Sequence, residues 1–106
     1  MTNETLQTLE NRRSCRAYKP EQITKEELEA VLRAGTFAPS GKNLQSAKIV
    51  VVQDAAARAR LSRMNAAVMG STADPMYGAP TILVVLADAH NYNAVPDGSL
   101  VMGNLM

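Results

Sequence analysis

The chain has 106 residues, with eleven basic and ten acidic side chains giving a formal net charge of +1, and it is 46% hydrophobic and 20% charged. Those values fit one globular domain or less and give no global reason to expect nucleic acid or an anionic membrane as a partner. With a single cysteine, Cys15, no intrachain disulfide can form; there is no basic start followed by an apolar run, and no apolar stretch approaches the ~20 residues of a membrane helix, so a cytoplasmic setting is expected.

Thr2 to Glu10 carries Leu6 and Leu9 at helical spacing and reads as a short helix capped by Thr2 or Asn3. The run from Arg12 to Pro20 breaks that pattern and reads as a loop or extended piece, since Pro20 biases Lys19 toward extended backbone. Thr24-Lys25-Glu26-Glu27 matches a capping box, and Leu28, Val31 and Leu32 follow as one apolar helical stripe, with Gly35 and Pro39 expected to end the helix. The segment from Ala38 to Gln45 is rich in turn formers and reads as a loop. Ile49 to Val52 is a continuous β-branched run, the pattern of a buried strand.

Asp54 can cap a third helix on which Ala57, Leu61, Met64 and Val68 share a face. Gly70 to Ala79 reads as a loop, and Pro80 opens a second buried strand from Thr81 to Leu86. Asp88 to Pro96 reads as a polar connection, after which a helical pattern begins at Asp97, with Val101 and Leu105 four apart and Met102 and Met106 alongside. Two strands are few for a sheet, whose usual count is about four to six. The open apolar helix at Met106 points the same way. The expectation is a single domain over residues 1–106 that is incomplete on its C-terminal side, or one piece of an obligate assembly, and not a stable monomer.

Two features carry chemistry. Arg12, Arg13 and Arg16 lie within five positions, with Ser14 between them. Guanidinium forks match phosphate oxygens and a hydroxyl adds a donor; the plain alternative is a solvated basic face at a helix end. The loop Ala38-Pro39-Ser40-Gly41-Lys42-Asn43-Leu44-Gln45 offers amide side chains that both donate and accept. Such groups suit the edge of a heteroaromatic ring with alternating carbonyl and N–H groups, and Gly41 permits close backbone approach. The plain alternative is an ordinary polar loop after a helix.

In order and spacing, Arg12 to Tyr18, the Ala38 to Gln45 loop, a strand, a helix and Ala79-Pro80 before another strand resemble the nitroreductase family, along essentially the whole chain. The resemblance implies an α+β fold, an α-β-α sandwich in which FMN lies at the interface of an intertwined homodimer. It implies that Arg12, Arg13, Ser14 and Arg16 hold the FMN phosphate and ribityl chain. By the same resemblance, Pro39, Ser40, Gly41, Asn43 and Gln45 form the loop along the isoalloxazine, usually contributed by the other subunit. The implied activity is an FMN-dependent oxidoreductase passing electrons from NADH or NADPH to nitroaromatic, quinone or similar small acceptors. The flavin carries that chemistry, so no catalytic side chain is assigned.

Two departures stand out. Where the family loop commonly continues Gln-Pro-Trp, this chain has Gln45-Ser46-Ala47, without the aromatic beside the flavin. The C-terminal half of a family member has no counterpart here, so the chain alone is expected to turn over poorly. Cys15 reads as a space filler or a redox thiol, and Asn65 as a solvated position or one approaching flavin or nicotinamide. His90 has no second His or Cys at metal spacing, so no metal site is expected. A flavin-binding paralogue without turnover is the competing reading. A nucleic-acid module is disfavoured by low aromatic content and the absence of a basic excess.

Overall fold

A computed structural model describes residues 1–106. In chain order the elements are α1 (Glu4–Asn11), α2 (Lys25–Thr36), a one-turn 3₁₀ segment (Gly41–Asn43), β1 (Lys48–Val52), α3 (Ala55–Val68), β2 (Ile82–Leu86) and α4 (Ala94–Leu105).

Local chemistry sets the helix starts. Asn3 caps α1, its side chain accepting from the Leu6 N–H at 2.9 Å. The capping box of α2 is complete: Thr24 Oγ1 accepts from Glu27 N–H at 3.2 Å, and Glu27 Oε2 accepts from Thr24 N–H at 2.8 Å. Asp54 caps α3 through the Ala57 N–H at 2.8 Å. The start of α4 differs from the sequence reading, because the helix begins at Ala94 rather than Asp97. Pro96 therefore sits inside the first turn, where a missing N–H costs no intrahelical bond. Gly35 also differs: it lies within α2, which runs on to Thr36, and it marks close packing rather than a stop.

β1 and β2 pair antiparallel, with Lys48 opposite Leu86, Val50 opposite Val84 and Val52 opposite Ile82. Side chains alternate across the pair. Ile49 and Val85 point to the side of α2 and α4: the Ile49 Cδ1 approaches Gly35, and Val85 approaches Gly98 of α4. α2 packs on α4, and α4 on β2. On the opposite face Ile82 lies beside Ala55, Arg58 and Ala59 of α3. The result is an α-β-α sandwich around a two-stranded sheet.

The core is small. Only four residues are buried, with Ala66 and Ile82 as its apolar members. The radius of gyration, 15.4 Å, exceeds the ~13 Å of a self-contained domain near 100 residues. The strands are half-buried rather than buried on both faces, with Val50 41% and Leu86 50% exposed. On α3 the inward face is Ala57, Arg58, Leu61, Ser62 and Ala66, while Met64 and Val68 point outward. Polar reach decides that rotation. Arg58 donates to the carbonyls of Gln53 and Ala79 at 3.1 and 3.2 Å, and Ser62 donates to Asp74 at 2.6 Å.

Candidate functional site

The basic group begins where α1 ends. Arg12 leaves helical geometry (φ −55°, ψ 133°), and the chain runs without regular structure to Thr24. Arg13 folds back on the helix end, its Nη1 donating to the carbonyls of Glu10 at 2.7 Å and Arg12 at 2.8 Å. Part of its donor fork is thus committed to the helix terminus. Arg12 and Arg16 have no carboxylate partner, since the chain's one ion pair joins Lys25 and Glu29. The segment is braced locally, with Tyr18 Oη donating to the Cys15 carbonyl at 3.0 Å and the Cys15 thiol to the Ala17 carbonyl at 3.0 Å. Arg12, Arg13, Ser14 and Arg16 are all exposed.

The second group is the loop after α2. Its backbone turns through left-handed geometry at Lys42 (φ 54°), Asn43 (φ 55°) and Gln45 (φ 51°). Each such non-glycine residue costs ~1–2 kcal/mol, so the loop needs external restraint. Some restraint is internal: Ser40 Oγ accepts from Gln45 N–H at 3.0 Å, and the Ser40 carbonyl accepts from Asn43 N–H at 3.0 Å. The rest comes from α4. Gly41 N–H donates to Asp97 Oδ1 at 2.9 Å, across 56 positions of sequence. A Cβ at Gly41 would meet the side chain of Asn93, 2.6 Å from its Cγ and 3.0 Å from its Cβ, so any larger residue there requires that side chain to move.

Asn43 and Gln45 bond to each other, Gln45 Nε2 donating to Asn43 Oδ1 at 2.6 Å. That contact leaves Asn43 Nδ2 as a free donor and Gln45 Oε1 as a free acceptor, both on exposed side chains. Behind the loop lies a cleft of about 330 Å³ walled by Leu32, Ala38, Pro39, Ser40, Gln45 and Val101. Pro39, Ser40, Gly41, Asn43 and Gln45 are therefore brought together. The basic group contributes nothing to that cleft, and Arg12 instead lines a groove with Glu4, Gln7 and Met106. Within one chain Arg12 and the loop line separate cavities.

Sequence reading missed Asp97, Asn91, Asn93 and Ser46. Asn91 Nδ2 donates to Ser46 Oγ at 2.8 Å and to Asp97 Oδ2 at 3.3 Å, and Asn91 Oδ1 accepts from Asn93 N–H at 3.0 Å. Ser46, the departure from the family loop, thus has a partner that proline could not engage. The available signal was an acidic residue in the first turn of an apolar helix, but its burial depends on a loop far away in sequence. Asn65 is exposed on α3. Asp74, in the loop before β2, accepts from Ser62 Oγ, Met76 N–H and Gly78 N–H, and these donors, the Ser62 hydroxyl foremost, lower its pKa below the ordinary aspartate value.

A model of the nitroreductase family matches residues 9–73, which include both the basic group and the loop. The chain belongs to that family. Among curated relatives, the FMN reductase [NAD(P)H] of Bacillus subtilis is 32% identical over 62 residues, 58% of this chain and 25% of that protein. An Archaeoglobus fulgidus protein with the provisional name NADH dehydrogenase/NAD(P)H nitroreductase is 36% identical over 85 residues, 80% of this chain and 46% of that one. Among solved structures, a Desulfitobacterium hafniense nitroreductase with bound FMN superposes with a TM-score of 0.88 at 29% identity, covering 99% of this chain and 63% of the other. An FMN-dependent nitroreductase of Clostridium difficile gives 0.87 at 32% identity, covering 97% and 53%. The nitroreductase fold expected from the sequence is therefore present, and the chain spans a quarter to a half of the curated relatives it matches.

Proposed function

We propose that this chain forms the FMN-holding N-terminal part of an oxidoreductase that passes electrons from NADH or NADPH to a small organic acceptor such as a quinone or nitroaromatic. The observation that carries the reading is the loop. It is a strained, externally clasped turn that presents a free donor, Asn43 Nδ2, and a free acceptor, Gln45 Oε1, above a cleft lined by Pro39 and Ser40. The donor set at the other end also fits FMN, because Arg12 and Arg16 carry charge with no carboxylate to neutralise it. When bound, FMN supplies the hydride and electron transfer, and the protein supplies binding, orientation and electrostatics.

Each residue then has a bounded task. Arg12 and Arg16, with the Ser14 hydroxyl, hold the phosphate through charge-assisted hydrogen bonds. Arg13 adds its remaining donors while fixing the end of α1. Asn43 and Gln45 address the ring edge, while Pro39 and Gly41 shape the surface along it. Because Arg12 and the loop line separate cavities of one chain, this reading takes a homodimer in which one subunit's basic group meets the partner's loop. No helix is long and apolar enough to cross a membrane, and a cytoplasmic location is part of the same proposal.

The test is flavin titration. Arg12→Ala and Arg16→Ala should each weaken FMN binding about tenfold or more, the effect of losing one charge-assisted contact of ~1.5–3 kcal/mol, and leave riboflavin binding unchanged. Unaltered FMN affinity in both variants overturns the phosphate assignment. Bound flavin with no oxidation of NADH or NADPH, in the presence of a quinone or nitroaromatic, would favour a flavin-binding protein without turnover.

A further inference from the structure

We infer that Asp97 is a positioning residue: through its clasp on the Gly41 amide it sets the loop that addresses the flavin ring and so tunes the bound cofactor, an inference that rests on the flavin-binding reading. Asp97 is the one buried acidic side chain, only 4% exposed. A carboxylate removed from water needs donors on its oxygens, and it has one on each. Gly41 N–H reaches Oδ1 at 2.9 Å and Asn91 Nδ2 reaches Oδ2 at 3.3 Å. The same Asn91 amide holds Ser46 Oγ at 2.8 Å. Asp97 and Asn91 therefore grip the loop on both sides of the left-handed stretch, at Gly41 before it and at Ser46 after it.

The grip acts where the backbone is least able to hold itself. Lys42, Asn43 and Gln45 sit in left-handed geometry that relaxes once restraint is lost. Asn43 and Gln45 carry the free donor and acceptor, so relaxation would displace the pair from the ring edge while leaving Arg12 and Arg16 untouched. Asp97 lines the same cleft as Gln45 but hydrogen-bonds to neither Asn43 nor Gln45. Its influence passes through the backbone.

The test combines Asp97→Asn with a swapped double variant, Asn91→Asp with Asp97→Asn. An amide at position 97 turns its NH₂ toward either the Gly41 N–H or the Asn91 NH₂, setting donor against donor. In the swap, the new carboxylate at position 91 accepts from Ser46 Oγ, Asn93 N–H and the new amide at position 97, whose oxygen accepts from Gly41. Without flavin, hydrogen exchange at the Gly41 amide should quicken in Asp97→Asn and slow again in the swap. With flavin, Asp97→Asn should weaken riboflavin and FMN by the same factor, about tenfold. The midpoint potential of the bound flavin should move toward that of free FMN. The swap should restore both. A folded Asp97→Asn protein with wild-type riboflavin affinity and potential overturns the inference, as does a folded swap that restores neither. Should Asp97→Asn not fold, the swap alone decides. A wild-type protein that binds neither FMN nor riboflavin removes the proposed function and this inference with it, while unchanged flavin binding in the variants removes this inference alone.

Discussion

Replacing Gly35 with alanine places a methyl group where α2, β1 and α4 meet. The new Cβ would lie 2.6 Å from Leu105 Cδ2, 2.8 Å from Ile49 Cδ1 and 3.1 Å from Leu105 Cγ. Carbon pairs are most favourable at ~3.5–4.0 Å, so two neighbours must each retreat by about 1 Å. Overpacking of that kind costs ~1–3 kcal/mol, against a helix-propensity gain of up to ~1 kcal/mol for leaving glycine. The expected net loss is ~0–3 kcal/mol. Gly103→Ala is the matched control, because it is the same change inside α4 with nothing within 4 Å of the added Cβ, and only the gain applies. The two variants should differ by ~1–3 kcal/mol, which for a chain near 100 residues separates their melting temperatures by at least about 4 °C. Thermal melts followed by circular dichroism read the difference. A Gly35→Ala protein melting with or above Gly103→Ala would mean that α2 and α4 do not approach as closely as described.

Asp74 is held ionised by the Ser62 hydroxyl and the Met76 and Gly78 amides; its folded pKa lies below its unfolded one. The stability it contributes is therefore complete above the unfolded pKa and lost as pH falls through the folded one. Asp74→Asn should flatten the acid side of the stability curve, below the ordinary aspartate pKa, and denaturant melts with identical acid limbs would contradict this. Thr24→Ala removes the Oγ1 acceptor of the α2 capping box and should cost ~0.5–2 kcal/mol; an unshifted urea midpoint would show that the cap is energetically idle. Lys42→Gly relieves one left-handed residue and should be neutral or stabilising by up to ~1 kcal/mol, so a clear drop in the midpoint would mean that the lysine side chain holds the loop.

What was legible in the sequence had local causes. The capping box at Thr24 and Glu27, the Asn3 and Asp54 caps and the existence of the two strands are each decided within a few residues and are present as read, whereas the full burial expected of the strands is not. The features that escaped depend on distant partners. Gly35 reads locally as a terminator because its neighbours, Ile49 and Leu105, are far along the chain. Met64 and Val68 satisfy helical periodicity with Ala57, yet Arg58 and Ser62 turn α3 by reaching the loop before β2. Pro96 reads as a boundary because nothing local says that the helix has already begun. For the site, the residue types of the loop were visible, whereas its clasp joins positions 56 apart through a carboxylate whose burial no pattern announced.

The sheet carries a practical consequence. A pair of strands has an outer edge on each side, and the ten residues from Lys48 to Val52 and Ile82 to Leu86 include one charge, Lys48, and no proline. Outer edges with unpaired N–H and C=O groups and so few gatekeepers recruit further strands from other molecules. Self-association through these edges rises with protein concentration, whereas folding of a single chain does not. Recovery of soluble protein after refolding should therefore fall as the chain is refolded more concentrated, and a lysine at Val50, whose side chain is already partly in water, should widen the range over which it stays in solution.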